Sequence, residues 1–188
     1  VAWQLRIAMR ETLRDRINLV PQGHSIELRL YAEDTENRFL PAPGPVYGFS
    51  PYTSQGIRWE AGIDAIDEVT ARFDPMIAKL IATGTTRKQA IHRLIEALKH
   101  SILAMPISNA SFLLGVLQNA GFTEAQPTTR FIEDEHEALR AAAAARRAKT
   151  DGLAEAIWNH LGSTVSIAAP ASIPELTLFI FGRTRKAT

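Results

Sequence analysis

The 188-residue chain has no cysteine. That absence excludes a disulfide framework, a thiolate metal site and a cysteine nucleophile. It fits a cytosolic protein. Long apolar runs are missing as well: none reaches the ~20 residues that span a bilayer. An excess of one charge is missing, because the net charge is +1 at pH 7. Near-neutrality leaves no electrostatic footprint for nucleic acid or an acidic membrane, so neither is expected as a partner. There is no glycine-rich phosphate loop, no G-x-S-x-G elbow and no HExxH. The histidines are scattered, and His92 and His100 stand too far apart on one expected helix to share a metal ion, so no metal site is expected. The first residues lack the apolar core and cleavage site of a secretory leader. They open at Val1 inside an amphipathic pattern, which reads as a piece of a longer chain.

What is present suffices for one domain with a real core, with or without a tail: 46% of the residues are hydrophobic. Residues 1–10 read as a helix and 11–22 as a loop ending in Pro21, Gln22 and Gly23. Residues 24–32 alternate. Ile26, Leu28, Leu30 and Ala32 share one strand face, and Ser25, Glu27, Arg29 and Tyr31 the other. Residues 37–52 are rich in proline and glycine and leave room for a short strand at 46–49. Short strands are expected at 56–60 and 67–72, and a mostly apolar one over 74–84. Thr86 and Gln89 form a capping-box pattern. Ile91, Leu94, Ile95, Leu98 and Ile102 follow at helical spacing, and Pro106 closes that element. Ser108 or Asn109 can cap a second helix carrying Phe112, Leu113, Val116 and Leu117, which stops near Gly121.

The alanine-rich stretch 138–148 predicts a weakly packed helix, continued over 153–161. Val165, Ile167, Leu176, Leu178, Phe179 and Ile180 suggest one or two final strands. Segregated short strands and helices, without βαβ alternation, make an α+β fold.

Arg29 is the sharpest candidate for chemistry. Its guanidinium fork can bind a carboxylate, a phosphate or a developing oxyanion. It sits two residues from Glu27 on the same strand face, so a solvated surface ion pair is the competing reading. Asp74 precedes Pro75, which suits a turn as well as a partner for an interface arginine. Arg58 and Arg93 read by default as a solvated strand residue and a helix-surface residue. Lys79 interrupts the apolar strand, with a stem long enough to carry its ammonium into water.

Five segments in this order resemble the C-terminal domain of biotin carboxylases: GHSIELRLYAED, FLPAPGPV, FDPMIAKLIATG with TRKQAIHRLIEAL, PISNASFLLGVL and TTRFIE. The opening VAWQLRIA is similar to the helix that precedes this domain in acyl-CoA carboxylase α-subunits. The resemblance covers roughly residues 1–135 and divides the chain into a preceding helix and linker (1–22), the domain proper (23–137) and a helical connector (138–188).

It implies an α+β domain of short antiparallel strands packed with two or three helices. It implies part of an ATP-dependent ligase that carboxylates biotin with bicarbonate, within a methylcrotonyl-, propionyl- or acetyl-CoA carboxylase. The implied cofactors are biotin, ATP and Mg²⁺, bound mainly by an upstream ATP-grasp region. The implied partners are a second copy in a homodimer, a biotin carrier domain and a carboxyltransferase subunit. The implied compartment is the cytoplasm, or the mitochondrial matrix in a eukaryote.

In the G-H-x-I-E-x-R pattern the family's active-site arginine falls on Arg29, held to stabilise the biotin enolate and to bind bicarbonate-derived groups. Arg58, Asp74 and Arg93 fall on dimer-interface positions, and Thr129 near the adenine pocket. The chain departs from the family pattern at Ala2, Pro106 and Ser108, and lacks the glycine-rich lid, the metal-binding glutamates, the E-x-N-x-R-x-Q-V-E segment and the A-M-K-M biotin-attachment motif. By itself it is therefore expected not to turn over ATP. Two alternatives stay open: a non-catalytic scaffold for dimerisation, and the matching domain of another ATP-grasp ligase.

Overall fold

The structure, a computed structural model, describes residues 1–12, 20–64, 67–124, 127–146 and 178–180. In chain order come α1 (Ala2–Ala8), β1 (His24–Tyr31), β2 (Glu33–Asp34), β3 (Leu40–Pro41), β4 (Gly44–Val46), β5 (Gly48–Ser50), β6 (Ile57–Ala61), β7 (Asp67–Val69) and β8 (Met76–Gly84). The helical half follows: α2 (Arg87–His100), the short β9 (Ile102–Ala104), α3 (Ala110–Gln118), α4 (Ala120–Thr123), α5 (Phe131–Asp134) and a helical stretch over 136–146. Strand β10 (Leu178–Ile180) is the last described element. The α+β expectation holds. Among the described residues no helix is long and apolar enough to cross a membrane.

The alternation over 24–32 builds the central layer. Strand β1 lies antiparallel to β8, and β6 flanks β8 on its other side, giving the order β1-β8-β6. Leu28, Leu80 and Ala82 project from one face of this sheet. They pack against Ile91, Leu94, Ala97 and Leu98 of α2 and Leu114 and Leu117 of α3. The helical spacing of those α2 residues puts them on the side that meets the sheet. A second cluster gathers Leu30, Val46, Ile77, Leu103 and Met105 around the end of β1.

The other side of α3 is also buried. Phe112 and Val116 meet Leu139 and Ala143 from the stretch 136–146. The alanine-rich helix is thus better anchored than its composition predicts. Leu139 is 2% exposed, and Arg146 donates to Gln118 Oε1 at 2.6 Å. At this contact Gly115 of α3 presents no side chain, and Leu139 and Arg146 pack close to it.

Several boundaries differ from expectation, each for a local reason. Ile102 leaves the helix and begins β9, half exposed. Ser101 ends α2: its Oγ donates to the Ala97 carbonyl at 2.7 Å and accepts the Tyr52 amide at 2.9 Å. Gly121 lies inside α4, because Asn119 restarts the helix by accepting the Gly121 amide at 2.7 Å. In the capping box Thr86 Oγ1 accepts the Gln89 amide as expected, but Gln89 Oε1 reaches back to the Thr85 amide, one residue earlier, at 2.7 Å. Asn109 makes no side-chain cap on α3. Helix α1 forms with none of its residues buried. Leu178, Phe179 and Ile180 form β10 against β9. The expected helix over 153–161 and the strand positions Val165, Ile167 and Leu176 lie outside the described residues.

Leu94 is fully buried between sheet and helices. Leu94→Ala is expected to destabilise the chain by about 2–5 kcal/mol, the usual cost of a leucine-sized cavity, read as a lower urea midpoint in a chemical unfolding curve.

Candidate functional site

The face of the β1-β8-β6 sheet turned away from the helices carries charge. Residues paired across the strands share a face. Arg29 therefore stands beside Lys79, and Lys79 beside Glu60. In the next row of that face Glu27 stands beside Ile81, and Ile81 beside Arg58. Three cations and two carboxylates surround one isoleucine, which is 8% exposed.

Two ion pairs run along the strands. Arg29 Nε donates to Glu27 Oε1 at 3.1 Å, and Arg58 Nη2 meets Glu60 Oε1 at 3.2 Å. Both pairs are exposed, so they add little to stability. Their effect is geometric. Hydrogen bonds to Glu27 and then Tyr31 raise the Arg29 pKa further, so the guanidinium is a permanent cation. Glu27 holds it from the Nε side. A guanidinium has five N–H donors, more than these two partners take, and the rest are available to an anion. Lys79, read from sequence as a strand interruption, adds a second positive charge directly across from it.

The backbone under Arg29 is held on both sides. On one side Arg29 pairs with Lys79 of β8. On the other, Asn109 Nδ2 donates to the Arg29 carbonyl at 3.2 Å, and Asn109 Oδ1 accepts the Tyr31 amide at 3.0 Å. Sequence reasoning placed Asn109 as a possible helix cap and missed this bond. No local pattern encodes a contact spanning some eighty positions.

The other predicted residues separate. Arg58 shares the face of Arg29. Asp74 stands just before β8, where its Oδ1 accepts the Met76 amide at 2.9 Å and closes the turn at Pro75. Arg93 lies toward the opposite end of β8, donating through Nη1 to the Thr83 carbonyl. There Gln22, Gln55, Thr85, Gln89 and Arg93 line an open cleft of about 580 Å³. Gly56 has φ +79°, a backbone conformation that strains any residue with a side chain, and the Arg93 guanidinium packs close against it. Thr129 is exposed in the turn leading into α5, among the elements packed behind α3 rather than on the charged face. Among the described residues no group of three or more His, Asp or Glu is placed to hold a metal ion.

One carboxyl near Asp74 is perturbed. Partial burial pushes the Glu33 pKa up, and the Asp74 carboxylate adds to the rise. A carboxyl whose pKa rises on folding holds its proton more tightly in the folded state. It costs stability while ionised, above the raised value; the cost fades as the pH falls through that value and is gone below the ordinary glutamate range. Glu33→Gln is therefore expected to raise the urea midpoint slightly at neutral pH, screening keeping the gain small. The gain should shrink toward nothing in acid. A gain equal at all pH values would assign the effect to side-chain shape instead of charge.

The chain's relatives can now be set against this geometry. Residues 27–134 match the family model described as "Biotin carboxylase C-terminal domain". The mitochondrial methylcrotonoyl-CoA carboxylase subunit alpha of Mus musculus is 38% identical over 141 residues, covering 74% of this chain and 20% of that protein. The biotin carboxylase of Halalkalibacterium halodurans is 41% identical over 133 residues, covering 70% of this chain and 29% of that protein. The biotin carboxylase domain dimer of Hydrogenobacter thermophilus 2-oxoglutarate carboxylase, solved with MgADP, ADP and bicarbonate, superposes with a TM-score of 0.67 at 29% identity. The superposition covers 73% of this chain and 30% of that one. The chain thus spans less than a third of the length of the relatives it matches.

Proposed function

The chain belongs to the biotin carboxylase C-terminal domain family, and on that premise we propose that it serves an ATP-dependent carboxylase that transfers bicarbonate carbon to biotin. Its own contribution is Arg29. The observation that carries this reading is the placement of Arg29: a permanently charged fork on an exposed sheet face, held by Glu27, with Lys79 alongside.

Carboxylation of biotin puts negative charge on oxygen atoms, and a preorganised cation aimed at such an oxygen lowers the barrier. Biotin, when bound, supplies the nitrogen that accepts the carboxyl group. Arg29 binds and orients the anionic oxygen facing it, Glu27 keeps the guanidinium from swinging, and Lys79 adds positive potential. ATP and Mg²⁺ belong to the same reading. Both are proposed to be bound mainly by an upstream ATP-grasp region of the kind the resemblance implies. Thr129 is proposed as a minor contact near the adenine.

Arg58, Asp74 and Arg93 are proposed to serve a homodimer interface, with a biotin carrier domain and a carboxyltransferase as further partners. The open cleft beside Arg93 offers a surface for such a contact. An acyl-CoA carboxylase is the favoured setting, and the cytoplasm or mitochondrial matrix the proposed compartment; the mouse relative is mitochondrial by name. One observation favours a second reading, a scaffold without catalytic work: Arg29 is exposed and already paired with Glu27.

A single substitution separates the two. In the full-length protein, Arg29→Ala is expected to lower kcat for bicarbonate-dependent biotin carboxylation about 10²–10³-fold, as loss of an oxyanion-stabilising donor does. The sedimentation of the dimer should not change. Unchanged kcat would leave the scaffold reading standing. The 188-residue chain alone is expected to show no bicarbonate-dependent ATP cleavage in a phosphate-release assay.

A further inference from the structure

Strand β1 ends the sheet order β1-β8-β6, so its outer backbone groups have no strand beside them. Backbone groups at such an edge need partners once covered. At Arg29 and Tyr31 one residue supplies them. Asn109 Oδ1 accepts from the Tyr31 amide at 3.0 Å, and Nδ2 donates to the Arg29 carbonyl at 3.2 Å. The Asn109 amide itself donates to the Tyr31 carbonyl at 3.1 Å. Three bonds from one residue imitate a rung of sheet.

The arrangement is specific to the side chain. A carboxamide presents an acceptor and a donor at one end, as a peptide group does; aspartate lacks the donor, and serine has one short hydroxyl. Asn109 is 6% exposed, so its bonds face little competition from water. It stands at the N-cap position of α3 and yet makes no side-chain cap, its amide being engaged with β1. Helix α3 is itself fixed in the core through Leu114 and Leu117. The clamp therefore ties the strand under Arg29 to the helical layer.

We propose that Asn109 is a positioning residue that acts through Arg29, fixing the backbone from which the guanidinium projects. The proposal rests on the reading of Arg29 as an active-site cation. A long side chain turns a small backbone shift into a large displacement at its tip, and misplacement by about 1 Å can cost on the order of 10²-fold in rate.

The test uses the full-length protein with Asn109→Ser, Asn109→Asp, Arg29→Ala and the double variants. Asn109→Ser is expected to lower kcat about tenfold or more while KM for ATP stays within about twofold. In the Arg29→Ala background the same substitution should change kcat no further. Hydrogen exchange followed by mass spectrometry should show the peptide over residues 27–34 exchanging about tenfold faster, as expected for loss of its hydrogen bonds, with residues 110–118 unchanged. If Asn109→Ser does not fold, Asn109→Asp, which keeps the acceptor for Tyr31 and loses the donor to the Arg29 carbonyl, carries the kcat comparison with and without Arg29, and Asn109→Ala carries the exchange comparison. Losses that multiply across the two sites, or exchange that accelerates equally in α3, would overturn the proposal and leave Asn109 a fold residue. Silence of Arg29→Ala alone would sink the active-site reading and the positioning role with it, while the exchange data would still report whether the clamp exists.

Discussion

Eight residues of β1 run antiparallel along β8, from His24 opposite Gly84 to Tyr31 opposite Met76. The side-chain period of a strand is two, so this register decides what lies on each face. A slip of one residue would drive Glu27 and Arg29 toward Leu94 and bring Leu28 and Leu30 into water. Burying unpaired charge and exposing two leucines opposes the slip strongly. The cluster of Leu28, Leu80 and Leu94 therefore fixes where Arg29 points, though none of the three belongs to the charged face.

The register changes once, between Leu30 and Tyr31, where β8 carries an extra residue at Ile77. An extra residue bends a strand. Here Ile77 stays buried in the second cluster, and the Ala32 amide turns to the Pro75 carbonyl at 2.9 Å. Asp74 stabilises the turn that feeds this bulge. The bend lies at the same end of β1 where Asn109 takes the outer edge. Tyr31 is thus the point at which sheet pairing hands over to a side chain.

Much of this was legible locally. Alternation over 24–32 defined both faces of β1, and the spacing of Ile91, Leu94 and Leu98 defined the buried side of α2. Those signals are short-range and follow from one hydrophobic face per element. The charged face was half legible: Glu27 and Arg29 were readable as neighbours, but Lys79 and Glu60 join them through pairing between strands distant in sequence. Asn109 was misread because asparagine before a helix has a strong local use, capping, and its actual partners lie in β1. The end of α2 was misread for the same reason. Ile102 keeps the helical period, but Ser101 is drawn away by Tyr52. The assignment of Arg29 to chemistry came from resemblance over five ordered segments, since spacing alone could not separate it from a surface ion pair.

The exposure of Arg29 bears on how it can work. Its pair with Glu27 is exposed, and at such a dielectric a charge pair is worth little. The same weakness applies to an oxyanion held by Arg29 in open water. A cation gains catalytic strength when its surroundings exclude water and its position needs no adjustment during reaction. The described residues provide the second condition, through β8, Glu27 and Asn109, and not the first. On the proposed role of Arg29, the described residues supply a held charge on a stiff sheet, and the cover that would make this charge effective is proposed to come from the substrate and from protein facing the sheet. On that proposal the exposure of Arg29 is the accessibility of an unfilled site, and exclusion of water on filling is what would strengthen its hold on an oxyanion.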